Sequence, residues 1–331
     1  LTGANTFTGG TTVSAGKLVV VGSGALAGSV NVASGAILEI GDGRATSDGS
    51  LVTSTNSGDI TINGNVVVNY GSGVSNMWDG LVSTDTRAVT GTGTLTKNGA
   101  GTLQLGSVLR FAFNGALVVN GGTLLLDGSG DFGGTLSVGS GATVQIRNYT
   151  GGNARAWLKP TQLDLTDSAL VNGLNTDNNA SYGLYIDTLN IHGTGSEIGG
   201  SYKPPVYINR VGTSGAKTLT VTVDESGSGT ISSVIGDHPT VSGAGTLAKA
   251  GAGTLVLSAA NTYTGGTSVS NGILRLSGSA TLGSSSGSLT LSGGVLDLSN
   301  TSQTVGALGG SAGTIVNNSS SVTRTPVSYT H

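Results

Sequence analysis

A chain of 331 residues with a formal net charge of -3, 9% charged side chains and 4% aromatics has no basic footprint for a phosphate backbone, so nucleic acid is not an expected partner. Its 59 glycines do not recur every third residue and its prolines number 5, which excludes a collagen helix, while Leu, Val and Ile return on a beat that a disordered chain lacks. With no cysteine, disulfides contribute nothing to stability, and no apolar run nears the roughly 18 to 20 residues of a membrane-spanning helix.

The chain opens on Asn5-Thr6-Phe7-Thr8-Gly9-Gly10-Thr11-Thr12-Val13-Ser14-Ala15-Gly16-Lys17-Leu18, which returns near the other end as Asn261-Thr262-Tyr263-Thr264-Gly265-Gly266-Thr267-Ser268-Val269-Ser270-Asn271-Gly272-Ile273-Leu274. Leu38-Glu39-Ile40 follows, apolar at its outer letters and charged in the middle, the alternation of a strand with one dry and one wet face. Residues 41–59 are polar and turn-rich, and a second irregular stretch, 70–90, holds Trp78. Both read as lengthened corners. Gly93-Thr94-Leu95-Thr96-Lys97-Asn98-Gly99-Ala100-Gly101-Thr102-Leu103-Gln104-Leu105 then states a clause that recurs as Gly245-Thr246-Leu247-Ala248-Lys249-Ala250-Gly251-Ala252-Gly253-Thr254-Leu255-Val256-Leu257. A degenerate copy of the Asn clause runs from Phe113 to Leu124.

Strand triplets continue at Val144-Gln145-Ile146, Leu163-Asp164-Leu165, Leu189-Asn190-Ile191, Leu274-Arg275-Leu276 and Leu296-Asp297-Leu298. The stretch from Arg147 to Arg210 reads as a larger excursion, because it concentrates Arg155, Trp157, Tyr182, Tyr185, Tyr202 and Tyr207 with basic and proline residues. Residues 322–331 form an off-pattern tail.

The triplets return every twenty residues or so, about one turn of a parallel β-solenoid with three short strands and three corners, which predicts an all-β chain of roughly fifteen coils. Ser-Gly, Asn-Gly and Asp-Gly pairs supply the corners. Gly, Ser and β-branched residues without an apolar stripe at helical spacing set a helical reading aside. Sandwiches and barrels also use short strands, but only a stack requires successive units to be alike. Because the first Asn clause lacks the Gly-Thr-Leu clause before it, the sequence is expected to be a segment of a longer chain.

The Gly-Thr-Leu-x-Lys-x-Gly-x-Gly-Thr-Leu-x-Leu and Asn-Thr-Tyr/Phe-Thr-Gly-Gly-Thr clauses, complete from Gly245 to Leu276 and halved or worn elsewhere, resemble the autotransporter-associated β-strand repeat of type V secreted surface proteins. The resemblance implies a right-handed parallel β-helix at the bacterial surface or secreted, serving adhesion, self-association in aggregates and biofilms, or export of the passenger. It also implies an outer-membrane barrel on the same polypeptide, although neither that barrel nor a signal peptide is in this sequence. The family defines a scaffold and brings no catalytic residues.

The chemistry in the residues is sparse. His192, His238 and His331 are the available bases for a serine nucleophile, and each reads as a surface or turn histidine. Gly283-Ser284-Ser285-Ser286-Gly287 spells a nucleophile elbow without the helix that one needs. Gly128-Ser129-Gly130-Asp131-Phe132-Gly133 spells a dinucleotide fingerprint but runs into strand text. Asp164, Asp167, Asp177 and Asp187 are the carboxylates that a polysaccharide-cleaving site would use. No catalytic group, metal or cofactor is expected. The better lead is aromatic: Trp78, Trp157, Tyr182, Tyr185, Tyr202 and Tyr207, with Arg155, fall outside the aliphatic core text and suit stacking on sugars or anchoring a protein, unless they pack beneath the excursions. Phe7, Phe113 and Tyr263 are read as structural. The sequence thus predicts an adhesin or self-associating passenger that contacts a surface glycan, a protein or its own copies. A passive stalk or export helper is the second reading, and a polysaccharide-acting enzyme the third.

Overall fold

The computed structural model describes the chain apart from residues 4, 6, 8, 27, 45–57, 79–87, 106–109, 128–129, 148–155, 174–182, 209–214, 240, 319–326 and 330–331. The described residues form strands and turns without a helix. Two compact units are present, Leu1–Pro160 with Gly173–Tyr182, and Thr161–Asn172 with Gly183–His331.

In the first unit, short strands stack into three walls. One wall runs Thr11–Val13, Val30–Val32, Ile60–Ile62, Ala88–Gly91, Arg110–Phe113, Gly130–Phe132 and Ala156–Leu158. A second runs Lys17–Val20, Ile37–Ile40, Asn65–Asn69, Thr94–Asn98, Ala116–Val119 and Thr135–Val138. The third runs Ser75–Trp78, Thr102–Leu105, Thr123–Asp127 and Thr143–Arg147. Each of these pairings is parallel, the arrangement of a β-helix and not of a sandwich or closed barrel, and parallel strands joined through such corners wind right-handed.

Register explains why the units repeat. Leu38, Val66, Leu95, Leu117 and Leu136 are partners in turn along the second wall, and every one is 0% exposed. Fully burying such a side chain contributes about 1.5–3 kcal/mol, so a column of them holds neighbouring coils together only when the two-residue alternation stays in phase. Asn120 Nδ2 donates to Asn98 Oδ1 on the preceding coil at 2.9 Å, so side-chain amides also link successive coils.

The second unit follows the same plan. One wall takes Gln162–Thr166, Thr188–His192, Lys217–Val223, Gly245–Ala250, Gly266–Val269, and the first halves of Ser288–Asp297 and Ala307–Val316. Another takes Leu170–Gly173, Thr194–Gly199, Ser228–Ile231, Thr254–Leu257, Ile273–Leu276 and the second halves of the same two long strands. Gly183–Tyr185, Val206–Tyr207 and Ile235–Gly236 form the short wall.

Between Arg147 and Arg210, where the sequence suggested an excursion, the described residues include these paired strands. Ser75–Trp78 likewise joins the third wall of its unit. The middle of the 41–59 stretch, residues 45–57, lies outside the described residues, as do 79–87. In the tail, Val327–Tyr329 pairs with Gln303–Val305.

Candidate functional site

Aromatic residues were the leading expectation, and the structure separates them. Tyr185 and Tyr207 are opposite each other on adjacent strands of the short wall, 2% and 9% exposed, with ring centroids 5.4 Å apart. His238 completes the group at 5.5 and 5.2 Å from the two rings and is 6% exposed, so this histidine is an internal ring and not a surface base. The strands of Tyr185 and Tyr207 are buried at every described position, with no wet-face residue in Gly183-Leu184-Tyr185 or Val206-Tyr207. Tyr202 is presented, 38% exposed, beside the exposed Lys203.

The backbone places Trp157 opposite Asp131 and Trp78 opposite Leu105, while their side chains lie outside the described residues. Arg155 and Tyr182 lie outside the described residues altogether. Of the residues read as structural, Phe113 and Tyr263 are fully buried, whereas Phe7 is 41% exposed.

The carboxylates act as links between neighbouring groups. Asp164 accepts hydrogen bonds from the Gln162 amide at 3.0 and 2.9 Å and from the Asn190 amide, on the adjacent strand, at 2.8 Å. Asp167 Oδ1 accepts the Thr194 N–H at 3.0 Å, Asp187 is exposed, and Asp177 lies outside the described residues. His192 Nδ1 is 2.8 Å from Asp224 Oδ2 in a pair that is about half exposed. Among the described residues no group of three His, Cys, Asp or Glu side chains could hold a metal ion.

The residues shared by the two Gly-Thr-Leu clauses build one corner twice. Lys97 is in register with Val68 and Val119, and Lys249 with Val221 and Val269, at positions where alternation calls for an aliphatic side chain. Their exposures are 0% and 1%. The aliphatic stem fills the place of a valine and the ammonium reaches the main chain of the corner. Lys97 Nζ donates to the carbonyls of Asn98 at 2.7 Å, Gly99 at 2.9 Å and Gly121 at 3.2 Å. Lys249 Nζ donates to Ala250 at 2.7 Å, Gly251 at 2.8 Å and Asn271 at 3.2 Å. Three donors meet three acceptors in both copies, two on the lysine's own corner and the third on the corner of the following coil.

Gly99 and Gly251 have φ of 72° and 71°, the left-handed conformation that brings these carbonyls together. A side chain at either would also strike the coil before, at the carbonyl oxygen of Tyr70 or of Val223. Burial pushes both ammonium groups down to about 8.

The Asn clause contributes a second link. Asn261 is 4% exposed, and its Oδ1 accepts the Ile235 N–H at 2.9 Å while its Nδ2 donates to the Thr281 carbonyl at 2.8 Å, so one amide ties three coils. Asn5 Nδ2 donates to the Ala25 carbonyl at 2.8 Å, the same forward bond. Gln303 makes both of its bonds to the coil before it, accepting from the Leu282 N–H at 3.0 Å and donating to the Ala280 carbonyl at 2.9 Å. Tyr263 Oη is 2.6 Å from Thr267 Oγ1, which donates onward to the Leu282 carbonyl at 3.2 Å, and burial raises this phenol's pKa. Sequence reasoning did not assign these roles. Their signal was a polar letter, Lys or Asn, repeated in place within text whose other fixed letters are apolar or turn-forming.

The passenger-associated-transport-repeat family model matches residues 1–20, 95–126 and 247–276. These segments contain Asn5, Lys97, Lys249 and Asn261. Over 90 residues the chain is 39% identical to "Adhesin BmaC autotransporter" from Brucella suis biovar 1 (strain 1330), a match spanning 27% of this chain and 2% of that protein. No solved structure matches. The chain therefore carries three segments similar to the passenger-associated-transport repeat, and the repeat letters are those that link one coil to the next.

Proposed function

We propose that this chain is a stretch of a bacterial surface-exposed or secreted passenger whose work is adhesion. The observation that carries the reading is the 39% identity to a protein named as an autotransporter adhesin, within a chain built from passenger repeats. In this reading the coils form a wall of serine, threonine and asparagine hydroxyls and amides, and contacts to a glycan, a protein or another copy of the chain are individually weak and add through multivalency. Tyr202 with Lys203 is the described aromatic and basic pair best presented for such contact.

Adsorption of the purified chain to immobilised glycans and matrix proteins, with sedimentation to detect self-association, tests the reading. Adhesion predicts saturable binding that Tyr202→Ala with Lys203→Ala weakens without loss of fold. Absence of binding to every surface and to itself overturns it. The second reading, a stalk or export helper, is favoured by the way the matched repeat letters are spent on links between coils; it predicts an intact fold and no binding.

A further inference from the structure

The short wall of the second unit stacks two phenols across a coil boundary. Tyr185 and Tyr207 are register partners on adjacent strands, with ring centroids 5.4 Å apart and planes inclined by 33°, and His238 lies 5.5 and 5.2 Å from the two rings. The backbone makes room for the stack, because a side chain at Gly183, on the strand of Tyr185, would come within 2.7 Å of the Tyr207 ring. In the first unit a wall is filled with rings by Phe111, Phe113 and Phe132, whose centroids are 5.8, 5.9 and 6.3 Å apart. Ring packing on such a wall therefore needs no hydroxyl.

We propose that Tyr185 and Tyr207 form an oxidative cross-linking site, at which a one-electron oxidant of the kind that peroxide chemistry yields joins them as a dityrosine and ties one coil covalently to the next. Each phenol gives one electron to the oxidant and its proton to the buffer. The two phenoxyl radicals form a single bond between ring carbons ortho to the oxygens, and the hydrogen on each joined carbon moves to its oxygen. The product is the original pair less two electrons and two protons.

Position is what favours this coupling. Radicals on separate molecules must meet by diffusion, whereas the fold holds these two rings side by side, which turns the step into a unimolecular one. Tyr202 is the contrasting case, 38% exposed and in contact with no other ring among the described residues. The Leu184 N–H already donates to the Pro205 carbonyl at 2.9 Å across the same boundary, so the new bond would fasten strands that the fold has paired. In a sequence without cysteine it would constrain the open chain as a disulfide does. The link does not depend on what the chain adheres to.

The test uses the full chain in dilute solution, oxidised by a light-driven ruthenium complex with persulfate. Cleavage before Asp177, Asp187 and Asp224 then puts Tyr185 and Tyr207 on separate peptides, 177–186 and 187–223, for mapping by mass spectrometry. The proposal predicts these two peptides joined through Tyr185 and Tyr207, lighter by two hydrogens than their sum and carrying the blue fluorescence of dityrosine. The link should be lost in Tyr185→Phe and in Tyr207→Phe, which keep the rings, and kept in Tyr202→Phe. Oxidation of other tyrosines that leaves Tyr185 and Tyr207 unlinked overturns the proposal, as does a link that survives in Tyr207→Phe. Mapping of the wild type needs no variant, so a Phe variant that fails to fold leaves the proposal open to refutation.

Discussion

Replacing Asn261 by alanine should loosen the second unit at one identifiable place. The side chain is 4% exposed and makes one bond in each direction, accepting the Ile235 N–H at 2.9 Å and donating to the Thr281 carbonyl at 2.8 Å. Alanine removes both partners at once. A buried backbone group left without a partner costs about 1–3 kcal/mol, so the two together cost about 2–6 kcal/mol in that unit. Asn5→Ala provides the internal comparison: this side chain is half buried and donates to Ala25, and its loss should cost about 0.5–1.5 kcal/mol. Because the two compact units need not unfold together, urea unfolding should be read by site-resolved amide exchange and not by one global signal. The Ile235 amide is the reporter, and its protection should fall by about tenfold for each 1.4 kcal/mol lost. If that amide stays as protected in Asn261→Ala as in wild type, the amide is not a structural link and the reading of the Asn clause fails.

Asp297 is 1% exposed, and although burial raises its pKa, hydrogen bonds from Arg275, from the Ser299 N–H and from Asn318 outweigh that and hold it below 3.8. Its stabilisation is present above that value and lost as pH falls through the lower folded value, so acid unfolding of Arg275→Gln should begin at a higher pH than that of wild type. Gly251→Ala should destabilise by more than Gly16→Ala, measured by thermal unfolding. Both sites have positive φ, which costs alanine about 1 kcal/mol, but only at Gly251 would the new methyl also strike the Val223 carbonyl, whereas Gly16 faces open space. Tyr207→Ala should cost about 3–5 kcal/mol by opening the column with Tyr185 and His238, while Tyr202→Ala should stay within about 0.5 kcal/mol in denaturant unfolding.

Much of the fold was legible because alternation leaves a local record. Leu163-Asp164-Leu165 reads as dry, wet, dry, and in the structure the leucines are buried with Asp164 between them making amide contacts. The sequence left Tyr185 and Tyr207 open between a presented and a packed position because an aromatic side chain is compatible with either face, and only the register between their strands brings both rings inward. His238 was hidden for the same reason, since its partners come from two earlier coils. Lys97 and Lys249 received no role from the sequence. A lysine in a dry column contradicts the alternation rule until the converging carbonyls of two glycine-bearing corners are known, and those depend on how successive coils stack.

Register is the property on which the whole account depends, and a chain without cysteine allows it to be measured directly. Thr102, Thr123 and Thr143 are successive partners on the third wall of the first unit. Strands about 4.8 Å apart lie within disulfide reach, so Thr102→Cys with Thr123→Cys, and Thr123→Cys with Thr143→Cys, should cross-link on mild oxidation. Thr123→Cys with Val144→Cys, one residue out of phase and facing the opposite side, should not. Cross-linking of the out-of-phase pair in preference to the in-phase pairs would contradict a parallel, in-register stack of coils.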